Sequence, residues 1–484
     1  MKKINKLWGK YKKLPIPAKA GLWFTICGFI QRGISFITVP FFTRMLTTAQ
    51  YGTVSVYNSW ESLLSILCTL NLFYGGFNNG MLDYEDRRKE YVSAIQGLIT
   101  TMTAAWCVVY LVGRRFWNNL FELSTILILI MFVQILASAA LSLWSAKERY
   151  EYRYINLVIV TIANAFFSSS LSILTIWLFD RNYGAEVKII TNAAVIALIC
   201  GCIYINNFRK GRLFYDKEIW KKSFFFNLPL LAHYLSTMVL NQADRIMISK
   251  MVGSAEAGIY SVAYSTSMIL NIFVTAINNS FAPWLYGRLK EKDYKPVAKV
   301  ANTMFAGVAL ILVLLISFAP EVITIMAGSR YAEAVVIIPS VGSSLYFIFM
   351  YQIFANVEFY CKKNKFIAYA SVMGAALNVV LNYIGIRIFG YIAAGYTTLI
   401  CYIVFGIAHY CFMKKICNEE LNGIKLFNPR PIFLIAFALV SFSIVMTLLY
   451  DHILIRYFVL TVVLIVLVAY RKKIFEYAKM LKNK

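Results

Sequence analysis

The stretches TRMLTTAQYGTVSVYNS (residues 43–59) and SKMVGSAEAGIYSVAYS (residues 249–265) decide the fold of this chain, because they resemble each other closely. They lie 206 residues apart and share the aligned pairs Met45/Met251, Ala49/Ala255, Gly52/Gly258, Ser55/Ser261 and Val56/Val262. Solenoid repeats have periods of about 20–50 residues. A repeat at this much longer distance indicates that half of the protein was duplicated.

The composition is that of an integral membrane protein. Apolar residues make up 60% of the chain and charged residues only 15%, whereas about 25% of an ordinary soluble chain is charged. The apolar runs exceed the roughly 20 residues that a helix needs to cross the hydrocarbon. Because no strand-like alternation of polar and apolar residues is present, we expect an all-α membrane protein rather than a barrel.

Apolar runs between charged or turn-rich breaks predict about fourteen transmembrane helices. The predicted spans are 19–45, 51–76, 91–113, 122–146, 154–179, 186–208, 223–250, 257–285, 298–320, 333–361, 366–388, 391–413, 431–450 and 453–470.

The Lys and Arg residues predict that both termini face the cytoplasm. With this orientation 37 of the 48 lie in inside segments, 8, with Lys188 among them, lie in outside segments and 3 lie within spans, as the positive-inside bias requires. Six spans separate the two copies of the repeat, so both copies cross in the same direction. This arrangement predicts parallel lobes, spans 1–6 and 7–12, that face a shared cavity, followed by two C-terminal helices.

The chain divides accordingly into six segments. They are a basic amphipathic arm (1–18), an N-lobe (19–208), a basic cytoplasmic linker (209–222), a C-lobe (223–417), spans 13 and 14 (431–470) and a basic cytoplasmic tail (471–484). The net charge of +25 does not indicate nucleic-acid binding, because the basic residues are confined to short segments between apolar runs. The nine cysteines form no CxxC pair, so neither disulfides nor a metal site is expected.

Three longer stretches resemble a known family. KKSFFFNLPLLAHYLSTMVLNQADRIMISKMVGSAEAGIYSVAYS (221–265), FFTRMLTTAQYGTVSVYNSW (41–60) and FAPWLYGRLKEKDYKPVAK (281–299) are similar to Wzx-type polysaccharide flippases. These flippases belong to the multidrug/oligosaccharidyl-lipid/polysaccharide (MOP) exporter superfamily.

The resemblance implies a transporter of the bacterial plasma membrane that moves an undecaprenyl-diphosphate-linked oligosaccharide to the outer leaflet by alternating access. Its partners would be this lipid-linked cargo, membrane lipids, and a polymerase and assembly proteins of surface polysaccharide synthesis. A lipid II flippase and a MATE-like multidrug or cation antiporter of the same superfamily stay open as alternatives. A membrane polymerase or ligase is disfavoured, because the outside segments are short and no nucleophile constellation is present.

Arg32 is the first intramembrane charge of functional interest. It shares a helical face with Ser35 and lies roughly 20 Å from the cytoplasmic end of span 1. As a cavity cation it would bind the diphosphate or an acidic sugar, since guanidinium matches phosphate geometry. The alternative is a structural salt bridge to Glu61 of span 2. Glu61 itself is either the partner of Arg32 or a proton site for ion-coupled transport.

Span 7 carries a polar face made of His233, Thr237, Asn241 and Asp244. Asp244 and the adjacent Arg245 point in directions about 100° apart, so the two charges do not face each other. We predict that they belong to an outer gate or a coupling site. The alternative is a permanent pairing that fastens span 7 to its neighbours.

Other polar residues complete the predicted site. Asn71 near the inner end of span 2 and Asn271 in span 8 are expected to line the cavity, although amides also hold membrane helices together. Arg44 is assigned to the gate or to coupling. In spans 10 to 12 we expect packing roles for Asn378 and Asn382, an interfacial position for Glu358 and a structural role for His409. No cofactor is expected, and a coupling ion would be a proton or sodium.

Overall fold

The computed structural model describes residues 15–462 and residue 465. Most of the predicted N-terminal arm, the end of span 14 and the basic tail (471–484) therefore lie outside the described residues.

The described residues form α-helices joined by short turns, with no strand among them. The first nine helices are α1 (Ile16–Met45), α2 (Thr48–Thr69), α3 (Phe77–Asp83), α4 (Arg88–Val112), α5 (Arg114–Phe121), α6 (Thr125–Tyr150), α7 (Tyr154–Leu178), α8 (Gly184–Gly211) and α9 (Lys217–Asn227). The next nine are α10 (Leu231–Met251), α11 (Ser254–Met268), α12 (Asn271–Lys290), α13 (Lys295–Ser317), α14 (Ala319–Met326), α15 (Ala334–Tyr360), α16 (Asn364–Phe389), α17 (Ala393–Glu420) and α18 (Pro429–Leu449). A short apolar helix, α19, follows at Ile453–Val462.

The prediction of an all-α, multi-pass membrane protein is confirmed. Within the described part of the chain, 12 helices are long and apolar enough to cross a membrane. Two of the predicted spans are not among these 12. The helix α2, Thr48–Thr69, carries many polar residues, and α19 is described only over Ile453–Val462.

The two copies of the repeat have the same helix boundaries. In the first copy a helix ends at Met45 and the next begins at Thr48. In the second copy the equivalent helices end at Met251 and begin at Ser254, so both boundaries keep the offset of 206 residues. Thr47 caps α2 by accepting a hydrogen bond from the Gln50 backbone N–H, while the Gln50 side chain accepts from the Thr47 N–H. This reciprocal cap satisfies two N–H groups that the helix leaves unpaired.

The chain divides into two compact units, Met1–Val239 and Leu240–Lys484, with the boundary inside α10. In the first unit α8 is the central helix and contacts α2, α4, α6 and α7, while α1 packs on α7. A polar bridge joins α4 to α8, because the Gln96 amide donates to the Tyr204 carbonyl (2.8 Å) and accepts from Asn207 (2.8 Å). Such amide pairs hold helices together where lipid provides no hydrophobic driving force.

In the second unit the central helix is α15, which contacts α11, α12, α13, α17 and α18. Its buried side chains include Leu345, Phe349, Ile353 and Phe354, all 0% exposed. A helix that is buried on nearly all sides needs apolar residues on all its faces. This helix therefore forms the core of the second unit.

Gly97 of α4 is closely packed in the first unit, and this packing leads to a testable prediction. A Cβ atom at this position would lie 2.0 Å from the backbone carbonyl oxygen of Phe214. Because a backbone atom cannot easily move away, we expect Gly97→Ala to lower the free energy of unfolding by about 1–3 kcal/mol. Gly307→Ala in α13 is the control, since a Cβ there meets nothing within 4 Å. Urea unfolding of the purified protein in detergent measures both, and equal stabilities would contradict the packing described.

Candidate functional site

A polar pocket in the first unit is lined by α1, α2, α7 and α8. Its volume is about 250 Å³. The lining is rich in hydroxyl and amide groups and contains no Asp or Glu. The lining residues are Ser35, Thr38, Val39, Phe42, Tyr51, Val54, Tyr57, Asn58, Ser168, Ser169, Ser172, Lys188, Ile189 and Asn192. Hydroxyls and amides both donate and accept hydrogen bonds, so the pocket suits a polar ligand.

Lys188 supplies the positive charge of this N-terminal pocket. It lies one turn into α8, and its Nζ atom is 3.6 Å from the centre of the Phe42 ring and 5.4 Å from that of Tyr51. These rings stabilise the ammonium through cation–π contacts. Within residues 15–462 the side chain has no hydrogen-bond or carboxylate partner. An ammonium held in this way is available to bind an anion.

Arg32 and Ser35 lie on the same face of α1. Ser35 lines the N-terminal pocket and donates to the Gln31 carbonyl at 3.1 Å. Arg32, one turn earlier, is exposed, and neither it nor Glu61 forms a hydrogen bond or ion pair with a described residue. The salt bridge between Arg32 and Glu61, one of the two sequence-based interpretations, is therefore not formed in this structure.

Glu61 and Asn71 occupy different kinds of backbone. Glu61 is half-buried within α2. Asn71 follows the end of this helix, where Leu70 and Asn71 adopt positive φ values of 46° and 48°. The predicted span 51–76 thus stops at Thr69, whose Oγ1 accepts the Asn71 backbone N–H at 3.1 Å. Asparagine tolerates this left-handed conformation better than most residues.

The predicted polar face of α10 is present as a helical row. Thr237 is exposed and donates to the His233 carbonyl at 2.9 Å. His233 is half-buried, and its Nδ1 atom is buried without a hydrogen-bond partner among the described residues. Asn241 accepts at its side-chain oxygen from the Tyr264 hydroxyl at 3.4 Å.

Asp244 lies at the centre of a buried hydrogen-bond network in the second unit and is itself 1% exposed. One carboxylate oxygen accepts from the Tyr260 hydroxyl of α11 (2.6 Å) and from the Thr398 hydroxyl of α17 (2.9 Å). The other accepts from the Asn382 amide of α16. Three donors from three helices thus surround one carboxylate. Hydrogen bonds to an ionised group are stronger than hydrogen bonds between neutral groups.

The network extends beyond Asp244 along α16. Asn382 accepts from the Thr397 hydroxyl and donates to the Asn378 side-chain oxygen at 3.2 Å. Asn378 and Asn382 are both 0% exposed. The Asn378 amide nitrogen is buried with no hydrogen-bond partner in the described part of the chain. We call Asp244, Tyr260, Asn378, Asn382, Thr397 and Thr398 the Asp244 cluster.

Arg245 has partners of its own and does not pair with Asp244. Its Nη1 atom donates to the Asn241 carbonyl (2.8 Å) and to Gln242 Oε1 (2.7 Å). The guanidinium carbon lies 4.3 Å from the centre of the Tyr264 ring. The two adjacent charges therefore act on different neighbours.

The remaining predicted residues lie at helix ends. Asn271 is the first residue of α12, and its side-chain oxygen is buried without a partner within the described residues. Arg44 is exposed in the last turn of α1, where its guanidinium donates to the Pro40 carbonyl at 2.9 Å. A positive charge there stabilises the helix C-terminus.

The expectation of an interfacial Glu358 is wrong. Glu358 of α15 and His409 of α17 are both 0% exposed, and His409 Nδ1 lies 2.9 Å from Glu358 Oε1. Phe405 packs on the same imidazole, with ring centres 4.7 Å apart. The carboxylate is buried because α17 covers this end of α15.

Sequence reasoning missed two features of these sites. It counted Lys188 among the outside charges, although the side chain lines a pocket. It assigned Asn382 to packing, although this residue binds Asp244 from 138 positions away. The spacing of Asn378 and Asn382 by four residues was a signal for a polar helical face.

A model of the family described as polysaccharide biosynthesis protein matches residues 18–288, more than half of the chain. The chain belongs to the polysaccharide biosynthesis protein family. A second model, MatE, matches residues 229–384. Lsg locus putative protein 1 of Haemophilus influenzae is 24% identical over 362 residues, which are 72% of this chain and 85% of that protein.

Solved structures with the same fold come from two kinds of exporter. The lipid II flippase MurJ, in an inward closed conformation, matches with a TM-score of 0.71 and 13% identity over 94% of this chain and 100% of that chain. An inward-facing multidrug resistance MATE family transporter of the MOP superfamily matches with a TM-score of 0.60 and 11% identity over 80% of this chain and 95% of that chain. The resemblance to the MOP exporter superfamily that the sequence indicated is confirmed.

Proposed function

We propose that the protein moves an undecaprenyl-diphosphate-linked oligosaccharide from the cytoplasmic to the outer leaflet by alternating access, for surface polysaccharide assembly. Membership of the polysaccharide biosynthesis family supports a polysaccharide-related cargo. The matching fold of a lipid II flippase supports a lipid-linked one.

The observation that carries this proposal is the N-terminal pocket, in which an unpaired ammonium is surrounded by hydroxyls and amides. A phosphorylated sugar needs a cation for its phosphate and hydrogen-bonding groups for its hydroxyls. A transporter of cationic drugs would instead need an anionic site, and this lining contains no Asp or Glu. The pocket chemistry therefore favours an anionic carbohydrate cargo.

The other predicted residues take proposed roles in the same cycle. Arg32 is proposed to bind the diphosphate next to the pocket. Asn71, His233, Thr237, Asn241 and Asn271 are proposed to contact the sugars. Asp244 is proposed to bind the coupling ion, a proton or sodium, because its cluster combines one carboxylate with hydroxyl and amide oxygens, the ligand atoms that hard cations prefer. Glu61 is a second candidate for coupling, and Arg245 and Arg44 are proposed to act at the gate.

A deletion strain tests the cargo. We expect lipid-linked oligosaccharide to accumulate on the cytoplasmic side, surface polysaccharide to disappear and drug sensitivity to stay unchanged. Increased drug sensitivity with normal surface polysaccharide would contradict the proposal and support a MATE-like antiporter. Accumulation of lipid II would instead support a lipid II flippase.

Arg32 gives a more specific prediction. A hydrogen bond to a charged group contributes about 1.5–3 kcal/mol, so Arg32→Gln should slow flipping by about tenfold or more, while Arg32→Lys keeps part of the rate. Arg288→Gln is the control, because Arg288 forms ordinary ion pairs with Glu291 and Asp293. Flipping of labelled lipid-linked oligosaccharide is measured in proteoliposomes. Equal flipping rates for Arg32→Gln and Arg288→Gln would show that Arg32 does not bind the cargo.

A further inference from the structure

A second cavity lies in the Leu240–Lys484 unit, where α17 ends and α18 begins. Its volume is about 490 Å³, within the range of about 300–1,000 Å³ typical of small-molecule sites. Its lining comes from the last turns of α17, the connecting loop, the first turn of α18 and one residue of α13. The lining residues that determine its chemistry are Met413, Lys414, Cys417, Lys425, Leu426, Phe427 and Arg430.

The charge of this cavity is entirely positive. Lys414, Lys425 and Arg430 line it, and no Asp or Glu does. Among the residues that the structure describes, none of these three side chains has a carboxylate partner. The nearby acidic residues of α17 are already paired, Glu419 with Lys415 (3.8 Å) and Glu420 with Lys363 (2.7 Å). The three cations are therefore available to an external anion.

The inner wall of the same cavity is apolar. Met413, Cys417, Leu426 and Phe427 are all at most 5% exposed. A ligand that fills the cavity thus meets cations at its rim and hydrocarbon at its inner wall. This combination matches an amphiphile better than a small hydrophilic ion.

The connecting loop is held in one conformation by backbone hydrogen bonds. The Leu421 and Gly423 N–H groups both donate to the Cys417 carbonyl, at 3.1 and 3.0 Å. Gly423 has φ 73°, a conformation that glycine adopts without strain. The Asn428 side chain accepts from the Arg430 backbone N–H at 3.3 Å and caps α18. The cavity is consequently a preformed site.

The orientation predicted from the distribution of Lys and Arg puts the connection from α17 to α18 on the cytoplasmic side. With this orientation the cavity, which lies at the ends of two apolar helices, is at the boundary between membrane and water. Anionic lipids give the cytoplasmic leaflet a negative surface, and basic pockets between transmembrane helices on this side bind phosphorylated headgroups. We propose that the cavity binds an anionic phospholipid of the cytoplasmic leaflet, with its phosphate against Lys414, Lys425 and Arg430 and its glycerol and upper acyl chain against the apolar wall.

The test uses the purified full-length protein in nanodiscs with phosphatidylcholine and increasing fractions of phosphatidylglycerol. Bound lipid is counted by native mass spectrometry, and thermal unfolding is recorded. We expect phosphatidylglycerol to bind and to raise the unfolding temperature. The triple variant Lys414→Gln, Lys425→Gln, Arg430→Gln should bind phosphatidylglycerol with an apparent affinity about tenfold or more lower than that of the wild type. Its unfolding temperature in pure phosphatidylcholine should stay unchanged, because the three side chains are exposed.

The matched control is Lys290→Gln, Lys292→Gln, Lys295→Gln, which removes three charges where α12 ends and α13 begins and should keep wild-type affinity. If the triple variant does not fold, Lys425→Gln alone, an exposed loop position, should still weaken phosphatidylglycerol binding. Equal binding by wild type and the cavity variants would overturn the proposal. So would competition by glycerol phosphate or inorganic phosphate at the concentration of the lipid, because this result would assign the cavity to a soluble phosphate compound. Neither result depends on the transported cargo.

Discussion

Asp244→Ala will lower the free energy of unfolding by about 3 kcal/mol or more and will remove the response of transport to an ion gradient. The substitution leaves the Tyr260 hydroxyl, the Thr398 hydroxyl and the Asn382 amide without their acceptor. Each buried donor that loses its partner costs about 1–3 kcal/mol. Urea unfolding of the purified protein in detergent measures the stability, and flipping in proteoliposomes measures the activity.

Three further variants separate stability from ion coupling. Tyr260→Phe and Thr398→Val each remove one donor and keep the carboxylate. Each should therefore lower the free energy of unfolding by only about 1 kcal/mol and leave transport measurable. Asp244→Asn keeps the side-chain volume but removes the negative charge. We expect it to fold and to flip cargo at a rate that no longer responds to an imposed proton or sodium gradient. A gradient-dependent Asp244→Asn protein would exclude Asp244 as the coupling residue.

Lys188→Met will slow transport by about tenfold or more without destabilising the protein. Because the described structure gives the ammonium no carboxylate partner, the folded state gains nothing from the charge beyond its contacts with Phe42 and Tyr51. A lysine at the centre of a membrane helix costs about 2.5–3.5 kcal/mol of free energy, and this is an upper limit for Lys188, which lies one turn from the helix end. A desolvated cation–π contact offsets about 2 kcal/mol of this cost. The free energy of unfolding should therefore change by about 1 kcal/mol or less, while flipping slows by about tenfold or more because the anionic cargo loses its cation.

Lys188→Arg is the matched control for this prediction. It keeps the positive charge and the contact with the aromatic rings, so part of the flipping rate should remain. The same proteoliposome assay is used, with unfolding recorded in parallel. A Lys188→Met protein that flips at the wild-type rate would show that the N-terminal pocket does not hold the cargo.

Much of the fold could be predicted because hydropathy and helix boundaries are local properties. The repeat also predicted a relation that the structure shows, since Met45 and Met251 end equivalent helices. The separation of Asp244 from Arg245 followed from helix geometry alone.

Other features carry no local signal. The predicted span 257–285 is interrupted at Ile269 and Leu270, two apolar residues with neither glycine nor proline beside them. The partners of Asp244 lie up to 154 positions away, and only the packing of α16 and α17 brings them to it. Lys188 looked like an ordinary flanking charge, because a count of basic residues cannot tell which side of a helix faces a pocket.

The burial of α15 has a consequence for the order in which the membrane protein is made. Ribosomes produce α15 before α17, so Glu358 enters the bilayer while His409 has not yet been synthesised. Among the neighbours of α15, the helices α11, α12 and α13 are made before it, so only the side that α17 and α18 later cover faces lipid at first. A nascent chain that stops after Tyr360 would therefore leave this carboxylate without its His409 partner.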